Sequence, residues 1–388
     1  MKAVCWTGVN EVSVEEVPDP TIVNPRDAIL RVTATTICGS DLHLYDGYVP
    51  AMERGDVLGH EFMGVIEEVG PGVENLSPGD RVVVPPFIAC STCFFCEREL
   101  YSLCDNTNPN AALAEGFWGQ ATGGIYGYSH LTGGYAGSHA EYVRVPMADV
   151  GPRRVPEGVD DEHALFTSDA FATGYFGADI CDLQPGDTVA VWGCGAVGLF
   201  AVASAYLLGA ERVIAIDRLP ERLELARRYG AETLDYTRTD VVEELKQLTA
   251  GRGPDACIDA VGMEAHKPGL EGVYDRAKQA TRMESDRPYV LREAILACRK
   301  GGVVAIIGVY GGIVDKIPMG AAMNKGLTFR MGQQPTQRYL DRLLEHVAEG
   351  RVDTSLVATH RLPLDEAPRG YEMFKHKHDG CVRVVFAP

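Results

Sequence analysis

The chain reads as an α/β protein of two domains. A β-rich first domain is left and re-entered, and a doubly wound parallel sheet is inserted within it. Three observations predict this. Short β-branched runs between Gly, Pro and Asp turns fill residues 1–150. From about 171 to 320, apolar strands alternate with helical stretches. After 321, short strands return around one helix. The length of 388 residues suits two or three domains at a prior of roughly 150 each.

Taken in order, residues 12–17, 28–33, 65–69 and Arg81–Val84 are the first strands. With no helices between them, they predict a barrel or partly open sheet. Residues 107–139 lack periodicity and read as one long ordered loop, a feature that is usually functional. Next, Thr188–Trp192, 212–216, 255–259 and 303–307 are continuous apolar runs, as parallel strands buried on both faces require. Between them 196–208, 220–229 and Val241–Leu248 have helical length and period, and Pro220 sits where a first helical turn tolerates it. Residues 263–287 are a polar, charged insertion. Strands at 327–331 and 381–386 around a helix at 337–349 are expected to complete the first domain. The expected domains are therefore 1–170 with 321–388, and 171–320.

Composition narrows the function. With 46% hydrophobic and 23% charged residues the chain is globular rather than disordered. Lys and Arg total 36 against 54 Asp and Glu, a formal charge of -18, which argues against a nucleic-acid partner. No run of about 20 apolar residues could cross a membrane. The N-terminal stretch has no apolar core of a secretory signal. Eleven cysteines, an odd number without an export signal, point to metal ligands and free thiols in a reducing, cytoplasmic setting.

Two motifs are specific. Cys90, Cys93, Cys96 and Cys104 form C-x2-C-x2-C-x7-C. Four thiolates on one tetrahedral ion with no open position make a structural zinc site, and the spacing resembles neither ferredoxin pattern well. Gly193, Gly195 and Gly198 form G-x-G-x-x-G between a strand and a helix, with Cys194, Ala196 and Val197 between them. The three glycines serve a tight turn, close approach of a pyrophosphate, and helix–strand packing. Asp217 ends the following strand, where a carboxylate accepts from ribose hydroxyls and repels a 2′-phosphate, which favours NAD over NADP. Arg218 is a counter-signal, and Arg222 could lie against the adenine.

Cys38 in TICGSDLHLYDG, and His60 and Glu61 in LGHEFMGVIEEVG, are each ambiguous alone. Together with GDRVVV, the four-cysteine lobe, SDAFATGY and the glycine fingerprint, however, they make the whole chain resemble the zinc-containing medium-chain alcohol dehydrogenases. The resemblance implies a GroES-like catalytic domain and a Rossmann cofactor domain. It implies a catalytic zinc on Cys38, His60 and Asp169, with Asp169 where the animal and plant enzymes carry Cys. Two zinc ions per chain follow, one catalytic and one structural. Glu61 is implied as a neighbour of the metal or an alternate ligand, and Asp41 as the partner of the far nitrogen of His60. Ser40 and His43 match the proton relay, and Thr173 a position near the nicotinamide. His130 and His139, in the long loop, read as surface or substrate-rim residues.

Asp169 and the segments NTNPN, GGIYGYS and GGYAGSHAEYVRVP look most like the glutathione-independent formaldehyde dehydrogenase and dismutase branch. The loop before Ala140 is longer than in that branch, and the tail after 320 shorter. The expected activity is hydride transfer between NAD and a small alcohol or hydrated aldehyde, with dismutation if the NAD stays bound. Segments 107–139 and 263–287 would then be its clamp. Polyol, secondary-alcohol and amino-alcohol dehydrogenases of the same superfamily form the alternative. The resemblance also implies a homotetramer, or else a dimer.

Overall fold

The computed structural model describes residues 1–263 and 287–388. They form two units, Met1–Ala172 with Pro335–Pro388, and Thr173–Gln334. Apart from its two end positions, the polar insertion at 263–287 lies outside the described residues.

The first unit is built on a sheet whose strands run in the order His360–Pro363, Val384–Ala387, Ala28–Thr36, Glu61–Val69, Arg81–Val84, Arg153–Arg154, with Tyr142–Val145 also paired to Ala28–Thr36. The expected strand at 65–69 starts earlier, at Glu61, because the ladder with Ala28–Thr36 runs on to the pair Thr36↔Glu61. Side chains alternate across this sheet, so Ala28, Leu30, Val32, Phe62, Ile66 and Val82 collect in one core. Each of the larger ones contributes roughly 1.5–3 kcal/mol by leaving water. A second core lies under helix Ala367–His376, where Tyr371 and Phe374 meet Leu42, Leu44 and Phe386.

The segment 107–139 is not one loop. It holds a helix, Ala111–Trp118, a short strand, Gly124–Ile125, paired with Phe87–Ile88, and a helical turn at His130–Thr132. The helix escapes a search for periodicity because it is two turns long and buries only Ala114.

In the second unit six parallel strands stand in the order Glu232–Asp235, Arg212–Asp217, Thr188–Trp192, Ala256–Asp259, Val303–Ile306, Thr328–Met331. Numbered along the chain this is 3-2-1-4-5-6, the doubly wound order that binds dinucleotides where it reverses. Thr328–Met331 pairs with Val303–Ile306, through Ala305↔Arg330, so the strand expected at 327–331 extends this sheet rather than the first domain. The chain accordingly re-enters the first unit at Pro335, later than 321. Helix Ala196–Leu207 is buried over most of its length, as an apolar run of that composition demands. Among the described residues no helix is long and apolar enough to cross a membrane.

Candidate active site

The end of one antiparallel ladder brings two candidate ligands together. Thr36 faces Glu61 in register, so Cys38, two residues past the first, lies beside His60, one residue before the second. Cys38 caps helix Gly39–Tyr45, and its N–H donates to Asp41 Oδ2 at 2.8 Å. The other oxygen, Asp41 Oδ1, stands 3.1 Å from His60 Nδ1. One buried carboxylate thus ties both segments and turns Nε2 of His60 toward Cys38. Burial alone would lower the His60 pKa, but Asp41 and Cys38 outweigh it and raise it well above its ordinary value. Metal binding there must displace a proton.

Asp169, on the residue before helix Ala170–Asp179, completes the set. Its Oδ2 lies 3.4 Å from Cys38 Sγ and 3.7 Å from His60 Nε2. The three donors are buried and mutually within 4.8 Å. Ligand–ligand separations of about 3.3–3.8 Å are what bond lengths of 2.0–2.3 Å give at a tetrahedral zinc, so the residues fit such an ion. Three protein ligands leave one position open, the mark of a catalytic rather than a structural centre.

Glu61 does not join the three. Its Oε1 accepts the Ala170 N–H at 3.1 Å and its Oε2 lies 3.4 Å from Arg383 Nη2. Burial raises its carboxyl above the usual range, Arg383 opposing and Asp169 adding to the rise. Arg383 is 2% exposed, donates to Ile37 O, and reaches Cys38 Sγ at 3.9 Å. It brings a fixed positive charge to an anionic centre, and sequence reasoning missed it. The signal was there: one cation inside the apolar run CVRVVF.

Ser40 Oγ is 3.1 Å from His60 Nε2, placing a hydroxyl at the donor set. His43 lies three residues on in the same helix, buried at 5% exposure. Tyr128 sets its ring edge against His60, centroids 6.0 Å apart, and was also missed. Thr173 is partly buried on helix Ala170–Asp179. Of the two loop histidines, His130 is partly exposed, as a surface residue is, and His139 is not. His130 Nε2 is held by Asp56 Oδ1 at 3.1 Å, and His139 is wholly buried because its ring packs on Gly59.

The four cysteines of the lobe are also buried and within 4.8 Å of one another. Cys90 and Cys96 sulfurs are 3.9 Å apart, Cys93 and Cys104 4.0 Å. The edge of a tetrahedron with 2.3 Å zinc–sulfur bonds is about 3.8 Å. Burial would raise the Cys90 pKa, but N–H and O–H donors from Thr92, with Asn106, bring it down to about 6, suiting a thiolate ligand. Ser91 and Glu99 take φ of 66° and 58°, left-handed conformations that a loop wrapped around an ion would hold in place.

In the second unit the glycine fingerprint has the geometry its spacing requires. Gly193 has φ 90°, and a Cβ on Gly198 would stand 1.7 Å from Gly193 O. Among the described residues a Cβ on Gly195 would meet only Arg222 Nη1 within 4 Å, at 3.7 Å, which leaves that space open. Gly195 caps helix Ala196–Leu207, whose first residues Ala196 and Val197 turn free N–H groups toward the same space. Cys194 is buried, as a side chain pointing away from the turn must be. Asp217 accepts from Cys194 N at 2.8 Å, Arg218 N at 2.6 Å and Leu219 N at 3.0 Å, which joins the second strand to the fingerprint turn. Arg218 itself is exposed.

Comparison with known proteins places the chain in a family. Residues 24–157 match the alcohol dehydrogenase GroES-like domain, and 196–278 match the zinc-binding dehydrogenase family. The chain is 42% identical to a zinc-type alcohol dehydrogenase-like protein of Bacillus subtilis, over 100% of both chains. It is 35% identical to a glutathione-independent formaldehyde dehydrogenase of Pseudomonas aeruginosa, over 96% of this chain and 94% of that one. Among solved structures, the alcohol dehydrogenase TADH from Thermus sp. ATN1 is 39% identical with a TM-score of 0.84, covering 100% of this chain and 99% of that one. A zinc-binding dehydrogenase from Sinorhizobium meliloti, bound to NADP, is 28% identical with a TM-score of 0.79 over 100% and 99%.

Proposed function

Because the chain belongs to the zinc-type medium-chain alcohol dehydrogenase family, we propose that it is an NAD-dependent dehydrogenase of small primary alcohols and hydrated aldehydes, formaldehyde among them. The observation that carries this reading is the convergence of Cys38, His60 and Asp169 with the Ser40 hydroxyl beside them. Cys38, His60 and Asp169 would hold a zinc ion supplying Lewis acidity, and the Gly193–Gly198 turn would hold the nicotinamide cofactor that supplies hydride-acceptor chemistry. The rest falls to the chain. Asp41 orients His60. Ser40 Oγ takes the proton of the substrate hydroxyl and His43 passes it on toward solvent. Arg383 offsets the negative charge of the thiolate and the two carboxylates. Asp169, in place of a second thiolate, leaves the centre a harder electrophile at the same net charge.

The reading includes a second zinc on the four-cysteine lobe and a homotetramer in the cytoplasm, both resting on family resemblance and cysteine usage. The likeness to a glutathione-independent formaldehyde dehydrogenase supports the substrate class. Asp217 supports NAD over NADP.

Metal analysis combined with NAD-reduction rates across formaldehyde, ethanol, longer alcohols and diols, without glutathione, tests it. We expect near two zinc ions per chain, the highest rates on formaldehyde or short primary alcohols, and slower turnover with NADP. Activity confined to diols or secondary alcohols would replace this reading with a polyol or secondary-alcohol dehydrogenase. Acid extraction that releases stoichiometric NAD would add dismutation, and a cofactor-free preparation fully active on added NAD would exclude it.

A further inference from the structure

We propose that His139 is a positioning residue that fixes the separation of the backbone segments carrying Cys38 and His60, and thereby the metal affinity of the catalytic centre. The inference rests on the reading of Cys38, His60 and Asp169 as that centre.

The ladder that brings the two segments together ends at the pair Thr36↔Glu61, short of both ligands. Beyond it, residues 137–139 take over. Gly137 N–H donates to Val57 O at 2.9 Å, Ser138 N–H to Gly59 O at 2.9 Å, and His139 N–H to Leu58 O at 2.8 Å, so this segment lies along the three residues just before His60. The His139 ring then reaches the other segment. Its Nε2 is 3.2 Å from Thr36 O, two residues before Cys38. A carbonyl only accepts, so Nε2 carries the proton, and Nδ1 is left to accept from Tyr371 O–H at 3.2 Å. Both ring nitrogens are therefore satisfied in a fully buried imidazole, which removes the usual penalty for burying one.

The ring also acts as a spacer. A Cβ on Gly59 would stand 2.4 Å from His139 Cδ2, so only glycine leaves room for the ring against the backbone next to His60. Gly59 has φ 99°, a conformation that favours glycine independently. Tyr371 and Phe386 meet the ring edge-on with centroids at 5.9 and 5.5 Å and prevent it from turning. The imidazole thus touches residue 59 with its edge and residue 36 with its tip. Burial also keeps it neutral, lowering its pKa. Its two nitrogens bond Thr36 and Tyr371 rather than any of the three ligands, so its effect on the metal is exerted through the backbone segments that carry them.

The test is zinc retention of the purified full chain against a chromophoric chelator, in the parent and in His139→Phe, His139→Gln and Tyr371→Phe. Phe keeps a ring against Gly59 but offers no nitrogen; Gln restores a donor for Thr36 O. We expect His139→Phe to keep the four-cysteine ion and to bind the second roughly 10–100-fold more weakly. His139→Gln should recover most of that loss. With cobalt in the catalytic centre, the visible bands of the His139→Phe protein should shift. Unchanged retention in His139→Phe, or loss of both ions together, overturns the proposal. If His139→Phe does not fold, Tyr371→Phe decides: a weakened second ion supports the proposal and parental retention overturns it. A parent chain holding only the four-cysteine ion would instead refute the reading of the centre itself.

Discussion

Arg383 is a buried cation whose removal would leave Glu61 as a buried, unpaired carboxylate. Breaking such a pair from one side typically costs about 3–5 kcal/mol, much more than an exposed pair contributes. We predict a loss of that order for Arg383→Met in urea unfolding, with Glu61→Gln added to Arg383→Met recovering part of it. Asp169→Ala should remove one of two zinc ions and abolish activity, while the four-cysteine ion stays, read by metal analysis. Ser40→Ala should leave both ions in place and lower kcat by roughly 10²–10⁴-fold, the usual share of a positioned proton acceptor. Residues differ in how openly the sequence announces them. Cys38 and His60 become legible only beside their neighbouring motifs. Arg383 and His139 stay hidden because their partners lie far off in sequence: Glu61 for the first, Thr36 and Tyr371 for the second. No local pattern encodes a contact between a strand near residue 383 and another near residue 61.

At the scale of elements, the buried parallel strands and their helices were the most readable. Thr188–Trp192 and Val241–Leu248 fall where the pattern puts them, since a continuous apolar run or a strong helical stripe leaves few alternatives. Helix Ala111–Trp118 was not readable, and the strand Thr328–Met331 was assigned to the wrong sheet. Its burial pattern is mostly exposed, as an edge strand's is, so composition could not say which sheet it borders. The fingerprint turn separates two kinds of glycine by experiment. Gly198→Ala forces a carbon against Gly193 O and should lower the melting temperature and nucleotide affinity together. Among the described residues Gly195→Ala meets no atom closer than 3.7 Å, so its melting temperature should hold while NAD affinity falls by at least about tenfold, measured by calorimetry.

For the molecule as a whole, the two predicted ions should behave as separate parts. Cys104→Ser should release the lobe's ion and lower thermal stability, while the zinc at Cys38, His60 and Asp169 is retained, because no residue serves both groups. The order of the chain adds something else. Cys38, His60 and Asp169 all precede the nucleotide unit, whereas Arg383, Tyr371 and the strand Val384–Ala387 that pairs with Ala28–Thr36 follow it. On the ribosome the ligands emerge first and then wait while about 200 residues are made. At typical rates of synthesis that wait is roughly 10–40 s. Throughout it Glu61 lacks the Arg383 guanidinium and His139 the hydroxyl of Tyr371. The nucleotide unit, contiguous between Thr173 and Gln334, is fully synthesised before the segment that closes the catalytic unit emerges. A newborn chain therefore completes the turn Gly193–Gly198 and its partner Asp217 before the segment that carries Tyr371 and Arg383 is made.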